Sequence, residues 1–130
     1  MTKKVNGEKN IKYRNDLSYL VTREGETEPP FSGILNNEKR KGTYNCINCG
    51  NLLFLSDSKF DSYSGWPSFF RVANLKSVNE KIDDSHGMIR TEVQCYSCKS
   101  HLGHVFSDGP NPTGLRYCIN SVALKFSCDE

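Results

Sequence analysis

Six cysteines stand in these 130 residues, and four of them form two tight pairs, Cys46-Ile47-Asn48-Cys49 and Cys95-Tyr96-Ser97-Cys98, separated by 45 residues. A Cys-x-x-Cys turn lets two thiolates converge on one ion, and two such turns supply the four sulfurs of a tetrahedral zinc site. Iron accepts the same donor set. Four thiolates close the coordination shell, so the expected ion is structural and staples β-sheets together instead of activating water. A thioredoxin-like redox pair needs a strand-to-helix context, and neither turn opens a recognisable helix. A zinc deaminase needs a His/Cys-x-Glu ligand-and-base pair that this chain lacks.

Cys118 and Cys128 remain. The stretch 114–126, "GLRYCINSVALKF", reads as a strand, and strand alternation puts Arg116, Cys118 and Asn120 on one face with Tyr117, Ile119 and Ser121 on the other. An unperturbed thiol is only about 3% thiolate at pH 7, and a guanidinium beside it favours the anion. Cys118 is therefore either an activated nucleophile or a small buried residue of a core strand. His101 and His104 flank Gly103 in "HLGHVF". On a straight strand they would face opposite ways, and a bulge at Gly103 would aim both into one cleft, where imidazoles can protonate a departing oxygen. Trp66 sits in a Gly65-Trp66-Pro67 turn followed by Phe69 and Phe70. It is either a core plug or a wall for a methyl or thioether group.

The elements that must hold these residues follow from composition and punctuation. A chain of 130 residues at 36% hydrophobic content supports one domain with one core. The expected boundaries are a flexible basic arm over residues 1–12 and a single folded domain over 13–127. Ile11, Arg14, Leu17 and Leu20/Val21 recur at helical spacing before Gly25, which predicts one short N-terminal helix. "ETEPPFSG" is a turn-rich connection. From Gly42 onward, "GTYNC", "LLFL", "MIRTEVQC", "HLGHVF" and "LRYCINSVALKF" predict antiparallel β structure. In "IRTEVQ", Ile89, Thr91 and Val93 alternate with Arg90, Glu92 and Gln94, as in a strand buried on one face.

The formal charge of +2 conceals a basic tail. Residues 1–14 hold five Lys/Arg against Glu8, leaving 12 basic against 14 acidic residues beyond them. That balance disfavours a nucleic-acid face on the folded part. No stretch reads as a signal peptide or a membrane span, so a soluble, cytoplasmic, monomeric protein is expected, with no membrane partner. In a reducing compartment six cysteines point to metal or redox chemistry.

"GTYNCINCGNLLF", "KFDSYSGWPSFF", "RTEVQCYSCKSHLGHVFSDGP" and "TGLRYCINSVALKF" together resemble the methionine-R-sulfoxide reductases of the B type, over nearly everything from Tyr13 to Phe126. The resemblance implies a mainly β fold, a β-tent of two antiparallel sheets with the short N-terminal helix and one structural zinc held by Cys46, Cys49, Cys95 and Cys98. It implies that Cys118 attacks the sulfoxide sulfur while His101 and His104 stabilise and protonate the oxygen. Arg116 would favour the thiolate, Asn120 would order the site and Trp66 would receive the S-methyl group. Oxidised proteins bearing methionine-R-sulfoxide would be the substrates, and Cys118 would be left as a sulfenic acid. The chain departs from the common family pattern at Ser64, where a resolving cysteine often stands. Ten residues of extended strand would put Cys128 about 33 Å from Cys118. Direct reduction by thioredoxin or another external thiol is therefore expected. The alternative reading is a zinc-ribbon-like binding module for nucleic acid or protein, with Trp66, Phe69 and Phe70 as a stacking surface.

Overall fold

In the computed structural model, which describes residues 16–129, the runs of β-branched and aromatic residues after Gly42 resolve into two antiparallel sheets preceded by one α-helix. Helix α1 spans Asp16–Glu24. It turns Val21 wholly into the core with Leu17 packed beside it, and it stops at Gly25, whose N–H reaches the Val21 carbonyl at 3.2 Å. Ile11, Arg14 and the basic arm lie outside the described residues. Among those described, no helix is long and apolar enough to cross a membrane.

The strands are β1 (Gly42–Cys46), β2 (Leu52–Leu55), β3 (Lys59–Phe60), β4 (Ser68–Phe69), β5 (Val78–Asp83), β6 (Arg90–Cys95), β7 (His101–Phe106), β8 (Arg116–Ile119) and β9 (Leu124–Cys128). The first sheet has the order β2-β1-β9 and the second β3-β4-β8-β7-β6-β5. Aromatic rings join them. Phe54 of β2 stacks on Phe69 of β4 at 4.3 Å, and Tyr44 of β1 meets Phe69 edge-on at 4.9 Å. Such pairs add about 0.5–1.5 kcal/mol each beyond the area they bury. Tyr117, Val93, Leu102 and Ile119 complete the core between the layers.

The sequence predicts one strand over 114–126, and the chain instead divides it between the two sheets. β8 ends at Ile119, residues Ser121–Ala123 form a single 3-10 turn, and β9 continues in the other sheet. Asn120 makes the break. Its main-chain N–H and its side-chain Nδ2 both donate to the Leu102 carbonyl at 2.9 Å, and its Oδ1 accepts the Glu28 N–H at 2.9 Å. A side chain that captures backbone groups in this way ends a ladder. The straight-line separation of Cys118 and Cys128 therefore does not apply.

A second correction concerns Ile89. β6 begins only at Arg90, and Met88 and Ile89 belong to the exposed link after the Ser85–Gly87 turn, with Ile89 81% exposed. Within the strand the alternation holds, since Val93 and Cys95 are fully buried. β3, β4 and β5 are additional to the predicted strands. β3 and β4 are the two ends of "KFDSYSGWPSF" folded back on each other, with Lys59 opposite Phe69 and Phe60 opposite Ser68.

Candidate active site and metal centre

Each Cys-x-x-Cys unit closes the end of a strand, Cys46 on β1 of the first sheet and Cys95 on β6 of the second. The turns are pinned by Gly50 N–H to the Cys46 carbonyl and Lys99 N–H to the Cys95 carbonyl, both at 2.9 Å. All four sulfurs lie within 4.8 Å of one another. Cys46 Sγ is 3.7 Å from Cys98 Sγ, and Cys49 Sγ is 3.6 Å from Cys95 Sγ. A regular tetrahedron with Zn–S bonds of about 2.3 Å has edges of about 3.8 Å, so the donor set fits one zinc ion. Asn51 Nδ2 at 3.7 Å from Cys95 Sγ and Ser100 Oγ at 3.1 Å from Cys98 Sγ lend the polar support typical of a ligand's outer shell. The Cys46 thiol and then the Cys98 and Ser97 main-chain amides pull the Cys95 thiol down, which favours the thiolate form that a metal takes. The centre is closed and structural, and it ties one sheet to the other.

Cys118 lines a separate cavity of about 280 Å³ whose walls include Trp66, His104, Arg116, Asn120 and Ser64. Strand alternation thus does bring Arg116, Cys118 and Asn120 to one place, while Tyr117 and Ile119 are buried in the core. Cys118 is paired across β8 with His104 of β7 on one side and Ser68 of β4 on the other. Trp66 is half-buried, its ring fixed by Nε1–H donating to the Glu28 carbonyl at 3.0 Å. Arg116 is held by Asp108 through Nε at 2.9 Å and Nη2 at 3.2 Å, with its guanidinium 4.5 Å over the Phe106 ring.

The two histidines come together because β7 carries a bulge, but only His104 lines the Cys118 cavity; His101 stands behind it in a neighbouring cavity that His104 also lines. Val93 pairs with Gly103 and Gln94 with His101, so the extra residue is Leu102, one position before the glycine expected to hold it. The Leu102 carbonyl serves Asn120 instead of β6. Gly103 has a different duty: a Cβ there would run into the Cys118 carbonyl, so the close approach of β7 and β8 admits no side chain. The imidazole rings stand 5.5 Å apart, nearly edge to face.

Each ring rests on a carboxylate, His101 Nδ1 on Glu92 and His104 Nε2 on Asp83, both at 2.7 Å. Carboxylates accept, so these nitrogens carry the hydrogens, and a neutral ring presents a lone pair at His101 Nε2 and His104 Nδ1. His101 Nε2 is buried without a partner. Burial holds His104 below the usual histidine value, outweighing the upward pull of Asp83. The Ser85 hydroxyl and then His104 hold the Asp83 carboxyl well below the usual carboxylate range. The resting pair is a neutral imidazole donating to an ionised carboxylate.

The expected activation of Cys118 is only half met. Arg116 and the Ser64 hydroxyl both pull the thiol down, but burial pushes it up by more, and its net position is above the ordinary thiol value. Cys128 ends β9 opposite Gly42 in the other sheet and is not among the residues lining the cavity.

The SelR domain family matches residues 15–128. The chain belongs to the SelR family. It is 61% identical over 116 residues to a peptide methionine sulfoxide reductase MsrB of Bradyrhizobium diazoefficiens, covering 87% of this chain and 84% of that one. It is 57% identical over 112 residues to a protein of the same description from Herminiimonas arsenicoxydans, covering 86% and 82%, and 54% identical to one from Acinetobacter baylyi, covering 86% and 81%. In this SelR chain, sequence reasoning missed Glu92, Asp83 and Glu28. Glu92 was legible only as the polar face of a strand, and that face looks onto the histidines. Asp83 and Glu28 lie 21 and 92 positions from the residues they bind, and no local pattern records such contacts.

Proposed function

We propose that this chain reduces the R epimer of methionine sulfoxide in oxidised proteins to methionine, a repair reaction in which Cys118 is the nucleophile. Membership of the SelR family supports the reaction. The observation that carries the residue assignment is the shared cavity in which Cys118, its cross-strand partner His104 and the Trp66 ring meet.

The sulfoxide's S-methyl group lies against Trp66, since thioether and methyl groups pack well on an aromatic face. Cys118 gives up its proton to a neighbouring imidazole, and the thiolate attacks the sulfoxide sulfur. The imidazolium, stabilised by Asp83 or Glu92, delivers that proton to the sulfoxide oxygen. The oxygen ends on Cys118. In balance, the Cys118 thiol and the sulfoxide become the Cys118 sulfenic acid and a thioether: the substrate sulfur gains two electrons and the cysteine sulfur loses two. Arg116 steadies the thiolate from the far side, and Asn120 holds β8 against β7. An external thiol or dithiol such as thioredoxin then condenses with the sulfenic acid, releasing water, and a second thiol frees Cys118. Zinc, when bound by Cys46, Cys49, Cys95 and Cys98, supplies a structural cross-link between the sheets.

The test is a single-turnover reaction with each methionine sulfoxide epimer. The R epimer is expected to be reduced by the wild-type protein and by no Cys118→Ser sample. Retained reduction in Cys118→Ser overturns the assignment.

A further inference from the structure

The connection "ETEPPFSG" contains Glu28, which is 1% exposed although it carries a carboxyl group. Its Oε1 accepts the Val122 N–H at 3.0 Å, and its Oε2 is buried with no hydrogen-bond partner. Gly33 folds over that oxygen. A Cβ at position 33 would lie 2.6 Å from Oε2 and would collide with the Ser121 side chain. The main chain of Glu28 reaches the cavity twice, with its N–H donating to Asn120 Oδ1 at 2.9 Å and its carbonyl accepting from Trp66 Nε1 at 3.0 Å. Thr27, the preceding residue, lines the same cavity.

One residue therefore links the turn after β8 to two cavity side chains drawn from different parts of the chain. We propose that Glu28 is a positioning residue of this site: Oε1 clamps Val122, and the clamp fixes the Glu28 main chain where it sets the Trp66 ring and Asn120. The proposal rests on the reading that Trp66 and Cys118 form the sulfoxide site. The group needed is a hydrogen-bond acceptor, not a charge. Burial raises the Glu28 carboxyl above the usual range against the opposing Val122 and Ser121 amides, and a negative charge at Glu28 would push the Cys118 thiol further up. A neutral carboxyl satisfies both, and its isosteric amide would do the same work.

The variants that separate these roles are Glu28→Gln, which keeps the acceptor, and Glu28→Met, which fills the volume without one. Trp66 is the only tryptophan, so fluorescence reads its setting directly. Glu28→Gln is expected to keep KM within about twofold of wild type, with unchanged emission, while Glu28→Met raises KM by about tenfold and red-shifts the emission, kcat moving less. A residue that only stabilised the fold would lower the melting temperature and leave KM and emission of the folded molecules as they were. That outcome overturns the proposal, and so does a Glu28→Gln protein as impaired as Glu28→Met. Should Glu28→Met not fold, Glu28→Asp withdraws the acceptor by one methylene and is read in the same way. Failure of the wild-type protein to reduce the R epimer would sink the functional reading alone, because Trp66 emission and hydrogen exchange at the Val122 amide still report whether the clamp exists.

Discussion

His104 and Cys118 are a cross-strand pair in β7 and β8, so their side chains leave the sheet on the same face with Cβ atoms about 5 Å apart. On its far nitrogen His104 rests against Asp83. Thiol, imidazole and carboxylate thus lie in sequence across three strands of one sheet, β8, β7 and β5.

Asp83→Asn should lower the pKa of His104. The carboxylate pulls that value up while burial holds it below 6.5, so removing the charge leaves burial unopposed. The imidazolium forms at lower pH, and kcat falls by about 10- to 100-fold as the ring takes up the Cys118 proton less readily and a smaller fraction of it stands protonated. An NMR titration of the His104 ring checks this, and an unchanged midpoint would contradict it.

Arg116→Gln should raise the Cys118 pKa beyond its already elevated position. The guanidinium favours the anion, so its loss favours the thiol. Alkylation by iodoacetamide at pH 7 slows by about tenfold for each unit of displacement, and the midpoint of its pH profile moves upward. A profile superimposable on the wild type would show that Arg116 serves only to hold Asp108.

Two cysteines, Cys118 and Cys128, should react with a thiol reagent in the zinc-loaded native protein, and all six after denaturation with a chelator. Chelation of the native protein should lower its melting temperature by about 10 °C or more, since a metal that bridges two sheets contributes folding free energy directly. Six reactive thiols in the native, metal-loaded protein would contradict the closed centre.

Ser64 lines the cavity with Cys118, and its hydroxyl pulls the thiol down. Ser64→Cys should therefore trap Cys118 in a 64–118 disulfide after one turnover. The wild-type protein should instead yield a dimedone-reactive sulfenic acid at Cys118. A 118–128 disulfide in most wild-type molecules, seen by mass spectrometry, would contradict direct reduction by an external thiol.

The metal centre was legible because its chemistry is local. Two residues between thiols define a turn, and Cys46 and Cys95 at strand ends define where the turns sit. The face shared by Arg116, Cys118 and Asn120 was legible for the same reason, since a strand has a fixed period of two. The reach of β8 was not. Asn120 reads as one more strand residue until Leu102 and Glu28 are beside it to take its hydrogen bonds. The bulge was foreseen from the histidine spacing but displaced by one residue, because the glycine answers to the Cys118 carbonyl, a contact across strands. Glu92 and Asp83 look in sequence like solvated charges. Only the sheet register turns their faces toward imidazoles.

Burial pushes the Cys118 thiol above its ordinary value and so favours the protonated form. A hydrogen peroxide molecule that enters the cavity meets a thiol, which it oxidises far more slowly than a thiolate. Over-oxidation to the sulfinic acid, which ordinary thiols cannot reverse, starts from the sulfenic acid, a stage the resting thiol reaches only slowly with peroxide. The packing around this sulfur thus slows peroxide attack on the resting thiol, and the sulfenic acid left by each turnover depends instead on prompt reduction by the external thiol.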